Sequence, residues 1–265
     1  MLRRMARVSS LHLYPVKSLR GIDVAEVRVE KRGFANDRRF MVVDDKGIFT
    51  TQRESPRMAT ISTALEGDRL TLCHGGNSVS VPLAEEGERL RVRVWRSAVD
   101  AIHVAGADAF LSWALGASSR LVRMPESSHR ETNPEFSQPG DHVSFADGYP
   151  VLLANQASLD DLNLRMAETL PMARFRPNLV IEGGEPWAED EMALIRMADV
   201  SFRNAKPCVR CAVTTLDPVT GENRGPEPLK TLAEFRRWEN GVRFGINLIP
   251  DAEGNLRVGD EVQSE

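Results

Sequence analysis

The chain has 265 residues, 42% of them hydrophobic, and a formal net charge of −4, enough for one large domain or two closely packed small ones. A mildly acidic chain has no overall field drawing it to nucleic acid, and without an apolar run of about 18 residues it has no membrane-spanning helix. Its three cysteines, Cys73, Cys208 and Cys211, make neither a disulfide scaffold nor a four-thiolate iron–sulfur site, and they fit a reducing compartment, the cytoplasm by default.

The first hundred residues read as β structure. Val8–His12 leads into Tyr14-Pro15, and Ile22–Val29 alternates apolar and charged residues, the pattern of a half-buried strand. Arg39–Val43 and Ile48–Thr51 flank Asp44-Asp45-Lys46-Gly47, a hairpin signal with a glycine available for positive φ. Ala59–Leu65 and Arg69–Cys73 suggest a second hairpin, and Leu90–Trp95 alternates strictly. Asp108–Leu115 carries helical spacing. Pro125–Asp141 reads as an exposed linker or lid. A helix capped by Ser158 is predicted over Leu159–Met166. Strands are predicted at Phe175–Ile181, Ala193–Met197, Val200–Phe202 and Cys211–Leu216. Leu229–Trp238 follows as a helix, and Arg243–Ile249 and Leu256–Val262 close the chain as strands. Many short strands, few helices and no regular βα alternation predict an α+β, mainly β, barrel-type protein. No Rossmann fingerprint or P-loop is present.

Three groups of residues could carry chemistry. Cys208-Val209-Arg210-Cys211 could ligate zinc, form a redox pair or supply one special thiolate, and both thiols could equally be small core residues. On an extended strand, residues three apart point to opposite faces, so only one of the thiols would face a site. Arg176 lies among apolar residues, where its guanidinium needs an anion, either a carboxylate or a phosphate. Asp147, between Ala146 and Gly148, is a turn former or a carboxylate presented to a pocket.

The order of these motifs is similar to that of a known family. Tyr14-Pro15-Val16-Lys17-Ser18, Asp37-Arg38-Arg39-Phe40, Ser144-Phe145-Ala146-Asp147-Gly148-Tyr149-Pro150, Phe175-Arg176-Pro177-Asn178 and Cys208-Val209-Arg210-Cys211 come first. Thr214–Pro218, Glu227–Leu232 and Val258-Gly259-Asp260 follow. Together they resemble the MOSC proteins, in particular the bacterial YcbX type and the amidoxime-reducing components, from about Leu11 to Val262. The resemblance implies an N-terminal MOSC β-barrel domain (1–124) packed with a MOSC domain (125–265). It also implies a molybdenum–molybdopterin cofactor and reduction of N-hydroxylated compounds: hydroxylamines, amidoximes and N-hydroxylated bases. By the same likeness Cys211 is the metal ligand and Asp147 the acid beside it. Lys17, Ser18, Arg38, Arg176, Asn178 and Asn247 fall in the cofactor-binding set, with Gly148, Val209 and Arg210. Val209 would make any contact there through its backbone. Thr51-Gln52-Arg53-Glu54 departs from the family's Thr-x-Arg-Gln, which leaves Arg53 outside the expected set. No ferredoxin domain follows, so electrons are expected from a separate flavin or iron–sulfur protein, with neither nucleic acid nor membrane as a partner. A cofactor carrier or a sulfur-transfer protein is the alternative.

Overall fold

The computed structural model describes residues 6–239 and 241–265. Seven of its strands close into a barrel. In chain order they are β1 (Ala6–Leu13), β2 (Val151–Asn155), β3 (Leu179–Glu182), β4 (Leu194–Met197), β5 (Val200–Val209), β6 (Gly241–Pro250) and β7 (Glu261–Ser264). Round the barrel they run β2-β3-β1-β7-β4-β5-β6, and β6 pairs back onto β2. Closure leaves these seven strands without a free edge. The α-helices among the described residues are short: α1 (Asp108–Leu115), α2 (Gln156–Leu164) and α3 (Leu229–Phe235). The protein is mainly β, as its short alternating segments predict. None of the described helices is long and apolar enough to cross a membrane.

The barrel closes because its inward residues are apolar. Leu11, Leu153, Leu179, Ile181, Ile195, Phe202, Ile246 and Leu248 are fully buried in one cluster, each stabilising the fold by roughly 1.5–3 kcal/mol on transfer from water. Gly245 takes φ +73° where a Cβ would lie 2.5 Å from the Leu153 carbonyl oxygen, so β6 can approach β2 only through a glycine.

Seven further strands form a second layered unit. Phe40–Val43, Arg120–Arg123, Ser97–His103 and Arg89–Val94 make a four-stranded sheet, and Ser62–Glu66, Arg69–His74 and Asn77–Pro82 a three-stranded one. Phe40, Val42 and Leu121 of the first share a core with Leu70, Leu72 and Val81 of the second and with Leu111 and Leu115 of α1. The division drawn at 124/125 is crossed by the sheets. β1 sits between β3 and β7, and Glu26–Glu30 pairs with Gly254–Arg257.

Several elements differ from their sequence reading for local reasons. Ile22–Val29 is two strands, Ile22–Val24 on β1 and Glu26–Glu30 on Gly254–Arg257. Leu256–Val262 is likewise split, with Gly259 at φ +96° between its halves. Ser158 lies inside α2. The N-cap is Asn155, whose side chain accepts from the Ala157 N–H at 3.0 Å, so an Asx cap starts the helix earlier. Phe175 ends a 3₁₀ turn rather than opening a strand, and Cys211–Leu216 is another 3₁₀ turn, Ala212–Thr215, with Cys211 at its start.

Candidate functional site

Loop segments flanking the barrel strands converge on one cavity open to solvent. Lys17 and Ser18 follow β1, Asp147 and Gly148 precede β2, and Arg176 and Asn178 precede β3. Arg210 and Cys211 follow β5, Asn247 comes from β6, and Arg38 from the loop before Phe40. Of the residues predicted for the site, all but Val209 therefore line a single cavity. Val209 is 43% exposed, its side chain turned to Gly241, and it stands outside the cavity wall.

Three wall residues hold left-handed backbone: Ser18 (φ 67°), Arg38 (φ 48°) and Arg176 (φ 52°). Such conformations cost of order 1–3 kcal/mol and persist only where the surroundings enforce them. Here they bring two guanidiniums onto one ring. The Arg38 and Arg176 guanidinium carbons lie 4.2 and 4.3 Å from the centre of the buried Tyr14 ring, two cation–π contacts on one side chain. Arg38 also donates to Asp37 Oδ2 (2.6 Å) and Asn178 Oδ1 (2.7 Å). Asn178 is 1% exposed; its Oδ1 accepts from Arg38 and the Leu152 N–H, and its Nδ2 donates to the His12 carbonyl. Its Oδ1 thereby fixes Arg38 in the cavity wall.

Arg176 answers the question its neighbours raised. Its Nη2 donates to the Leu19 carbonyl at 2.8 Å, and it has no ion-pair partner among the described residues. Desolvation pushes its guanidinium down to about 10, the mark of a cation lacking a counter-charge. Arg210 also has no ion-pair partner among the described residues: Nη1 donates to Cys208 Sγ (2.8 Å), Nη2 to the Phe175 carbonyl (2.7 Å), and its buried Nε has no partner.

The opposite wall is an acid–base cluster. Burial pushes the Lys17 ammonium down, and its ion pair with Asp147 offsets part of that effect. Crowding by protein atoms raises the Asp147 carboxyl, but the Lys17 charge and hydrogen bond, with Arg53 and Trp95, outweigh it and hold the acid well below the usual carboxylate range. Trp95 Nε1 donates to Asp147 Oδ1 at 3.2 Å, and Arg53 Nη2 lies 3.8 Å from Oδ2. The same Arg53 nitrogen donates to Cys211 Sγ at 3.0 Å. Arg130 fixes the loop from behind, donating to the carbonyls of Ser144, Ala146 and Asp147.

Arg53, Trp95, Arg130 and Cys208 escaped the sequence reading as site residues. Arg53 stands in a motif that departs from the family pattern, and Trp95 lies tens of positions from the motif residues and carries no local signal. Cys208 also lines the cavity, against the strand expectation that only one thiol would. The pairing of β5 with β6 shifts register between Pro207 and Val209, and such a bulge breaks the two-residue alternation.

Residues 5–118 match the MOSC N-terminal beta barrel domain, and residues 140–263 match the MOSC domain. The human mitochondrial amidoxime-reducing component 1 is 30% identical over 289 residues, which span 99% of this chain and 84% of that one. The chain belongs to the MOSC-domain family of the amidoxime-reducing components. The human mitochondrial amidoxime reducing component 2 is 29% identical over 98% of this chain and 84% of its own. A crystal structure of the YUAD protein from Bacillus subtilis aligns over 97% of this chain with a TM-score of 0.45 at 12% identity.

The donor set of this MOSC-domain protein can be matched to the family's cofactor. Five cations and one carboxylate line the cavity, the reverse of the net charge of the whole chain, and two of the arginines lack any anion. That pattern accepts a phosphate. No group of three or more His, Cys, Asp or Glu among the described residues could hold a metal ion. A metal here would have to bring most of its own ligands and take one soft thiolate from the protein, which fits a molybdenum already held by a pterin.

Proposed function

We propose that this chain is a molybdenum-cofactor-dependent reductase of N-hydroxylated compounds that receives electrons from a separate protein. The observation that carries the reading is Arg176, a desolvated guanidinium without a counter-charge in the same cavity as the Cys211 thiol. In this reading Cys211 is the protein ligand to the metal. Arg176, Arg38, Lys17 and Ser18 hold the cofactor phosphate, and Gly148, Arg210, Asn247 and the Val209 backbone flank the pterin. The bound group supplies the centre at which an N–O bond is reductively cleaved: R–NHOH + 2 e⁻ + 2 H⁺ → R–NH₂ + H₂O. Asp147, kept ionised by Lys17, accepts hydrogen bonds from the substrate and positions it. The absence of a dinucleotide fingerprint and of cluster cysteines leaves the electrons to a partner. The free cysteines support a cytoplasmic setting.

The test is elemental analysis and pterin fluorescence on protein made in a host that synthesises the cofactor, for the wild type and Arg176→Ala. The wild type should carry about one molybdenum per chain and reduce a hydroxylamine with a reduced dye, but not with NADH alone. Removing a charge-assisted phosphate contact worth about 1.5–3 kcal/mol lowers affinity roughly ten- to hundredfold. Arg176→Ala should therefore lose occupancy with its melting temperature nearly unchanged. A large fall in apo-protein melting with full occupancy would make Arg176 a structural residue. Bound cofactor without turnover would make the protein a carrier, and a persulfide on Cys211 without molybdenum a sulfur-transfer protein.

A further inference from the structure

Strand Arg89–Val94 buries Val92 and Val94 and exposes Arg89, Arg91 and Arg93. The hairpin loop beside it is tied on by a bridge between Ile48 and Arg93 and by the Phe49 N–H donating to the Arg93 carbonyl at 3.1 Å. Lys46, Ile48, Arg91, Arg93 and Ala98 line a shallow cleft there. Ile48 is 37% and Trp95 41% exposed. Trp95 joins the loop through its ring contact with Phe49, at 4.9 Å between centres. Arg91 is paired with Asp100 at 3.3 Å. Lys46 and Arg93, with the exposed Arg96 one turn on, have no ion-pair partner among the described residues. Two exposed apolar side chains framed by unpaired cations, on a chain of net charge −4, make a surface complementary to an acidic protein.

This face also reaches the site. Trp95 donates to Asp147 at 3.2 Å and carries the Arg53 guanidinium 4.9 Å over its ring, and Arg53 donates to Cys211 Sγ at 3.0 Å. One exposed side chain and one arginine separate the surface from the thiol.

We propose that the face around Ile48 and Trp95, framed by Lys46, Arg93 and Arg96, docks a small acidic electron-transfer protein carrying a one-electron iron–sulfur centre. The proposal rests on the reductase reading. The carrier is oxidised by one electron per visit. Two visits and two protons break one N–O bond, releasing amine and water.

The test uses the holoprotein and the triple variant K46E/R93E/R96E, with reduced methyl viologen or reduced plant-type [2Fe–2S] ferredoxin as donor. Dye-driven turnover and molybdenum content should match the wild type. The KM for ferredoxin should rise about tenfold at ~50 mM salt, and the gap should close near 0.5 M salt as screening shortens the reach of the charges. Equal ferredoxin kinetics in both proteins at low salt would overturn the docking face. Absence of dye-driven turnover in the wild type would instead sink the reductase reading. Docking is then decided by ferredoxin binding alone: loss in the triple variant supports the face, and equal binding in both proteins, or none in either, overturns it.

Discussion

Cys208 and Cys211 lie on the same cavity but have different partners. Cys211 Sγ takes its hydrogen bond from Arg53, which also faces Asp147, whereas Cys208 Sγ takes its own from Arg210. Serine at 208 keeps an oxygen acceptor for Arg210, so Cys208→Ser should retain most of the molybdenum and activity. Cys208→Ala removes the acceptor of a half-buried guanidinium N–H and should cost about 0.5–1.5 kcal/mol of stability. Cys211→Ser exchanges a soft thiolate for a hard, protonated hydroxyl, and should lose molybdenum and turnover even where pterin is retained. Measuring molybdenum, pterin and turnover on all three variants separates the roles; equal loss in Cys208→Ser and Cys211→Ser would mean that both thiols serve one dithiol or metal site. At this scale the sequence was informative where a residue's own company is unusual. Arg176 among Phe175, Leu179 and Ile181 announces an anion. It is silent on Trp95, which reaches Asp147 only after the barrel and the second unit are packed together, and it misleads on Arg53, whose departure from the family motif hides its contact with Cys211.

At the scale of elements, short-range signals carried far and long-range ones did not. Leu90–Trp95 and the Glu66-Gly67-Asp68 turn depend on neighbours along the chain, and both are found, as strand Arg89–Val94 and a hairpin with Gly67 at φ 58°. β5 was read only to Phe202 because Asn204 to Pro207 look polar and broken. The structure continues the strand through two register shifts against β6. Ser158 illustrates the same limit. Its position suits a cap, yet its hydroxyl donates at 2.8 Å to Glu189 Oε2, which also accepts from Asn155 at 3.1 Å, and it accepts the Trp187 N–H. Glu189 is fully buried and its Oε1 has no partner. Desolvation raises its carboxyl above the usual range, and the hydrogen bonds from Ser158 and Asn155 only partly oppose this. An acid whose folded-state value is raised contributes most below its unfolded value, near 4.3, and loses stability as pH rises through the folded value. Glu189→Gln keeps an oxygen for Ser158 and Asn155 and carries no charge. The variant should match the wild type near pH 4 and exceed it at pH 8 by about 1 kcal/mol, roughly 2–4 °C in Tm. Melting curves at both pH values check this, and a variant less stable at pH 8 than at pH 4 relative to wild type would reverse the sign.

For the whole molecule, the order of motifs along the chain conceals how its ends are joined. We propose that the two family-matched segments fold as one cooperative unit and that 124/125 is a boundary of ancestry more than of stability. β1 supplies Val8, Leu11 and Leu13 to the barrel core and fills the gap between β3 and β7. Without it the barrel is open, both flanking strands present bare edges, and several large apolar side chains lose their partners. Glu26–Glu30 is the next loss, because it covers Gly254–Arg257, whose Leu256 is fully buried. Residues 125–265 expressed alone should therefore aggregate or remain without a cooperative melt. Fusing residues 6–30 through a flexible linker to the start of the same fragment should restore a monomer with a single transition. Circular dichroism melts and size-exclusion profiles of the two fragments provide the check. A monomeric, cooperatively melting 125–265 would show that the barrel closes without β1 and that the linear division is also the physical one. The restored fragment would still lack Lys17's neighbours Phe49 and Trp95, together with Arg38 and Arg53, so its cavity would keep Cys211 and Arg176 but not the wall that faces them. It should fold and yet bind cofactor far more weakly than the full chain, because the missing residues include Arg38 and Arg53, two of the five cations that line the cavity.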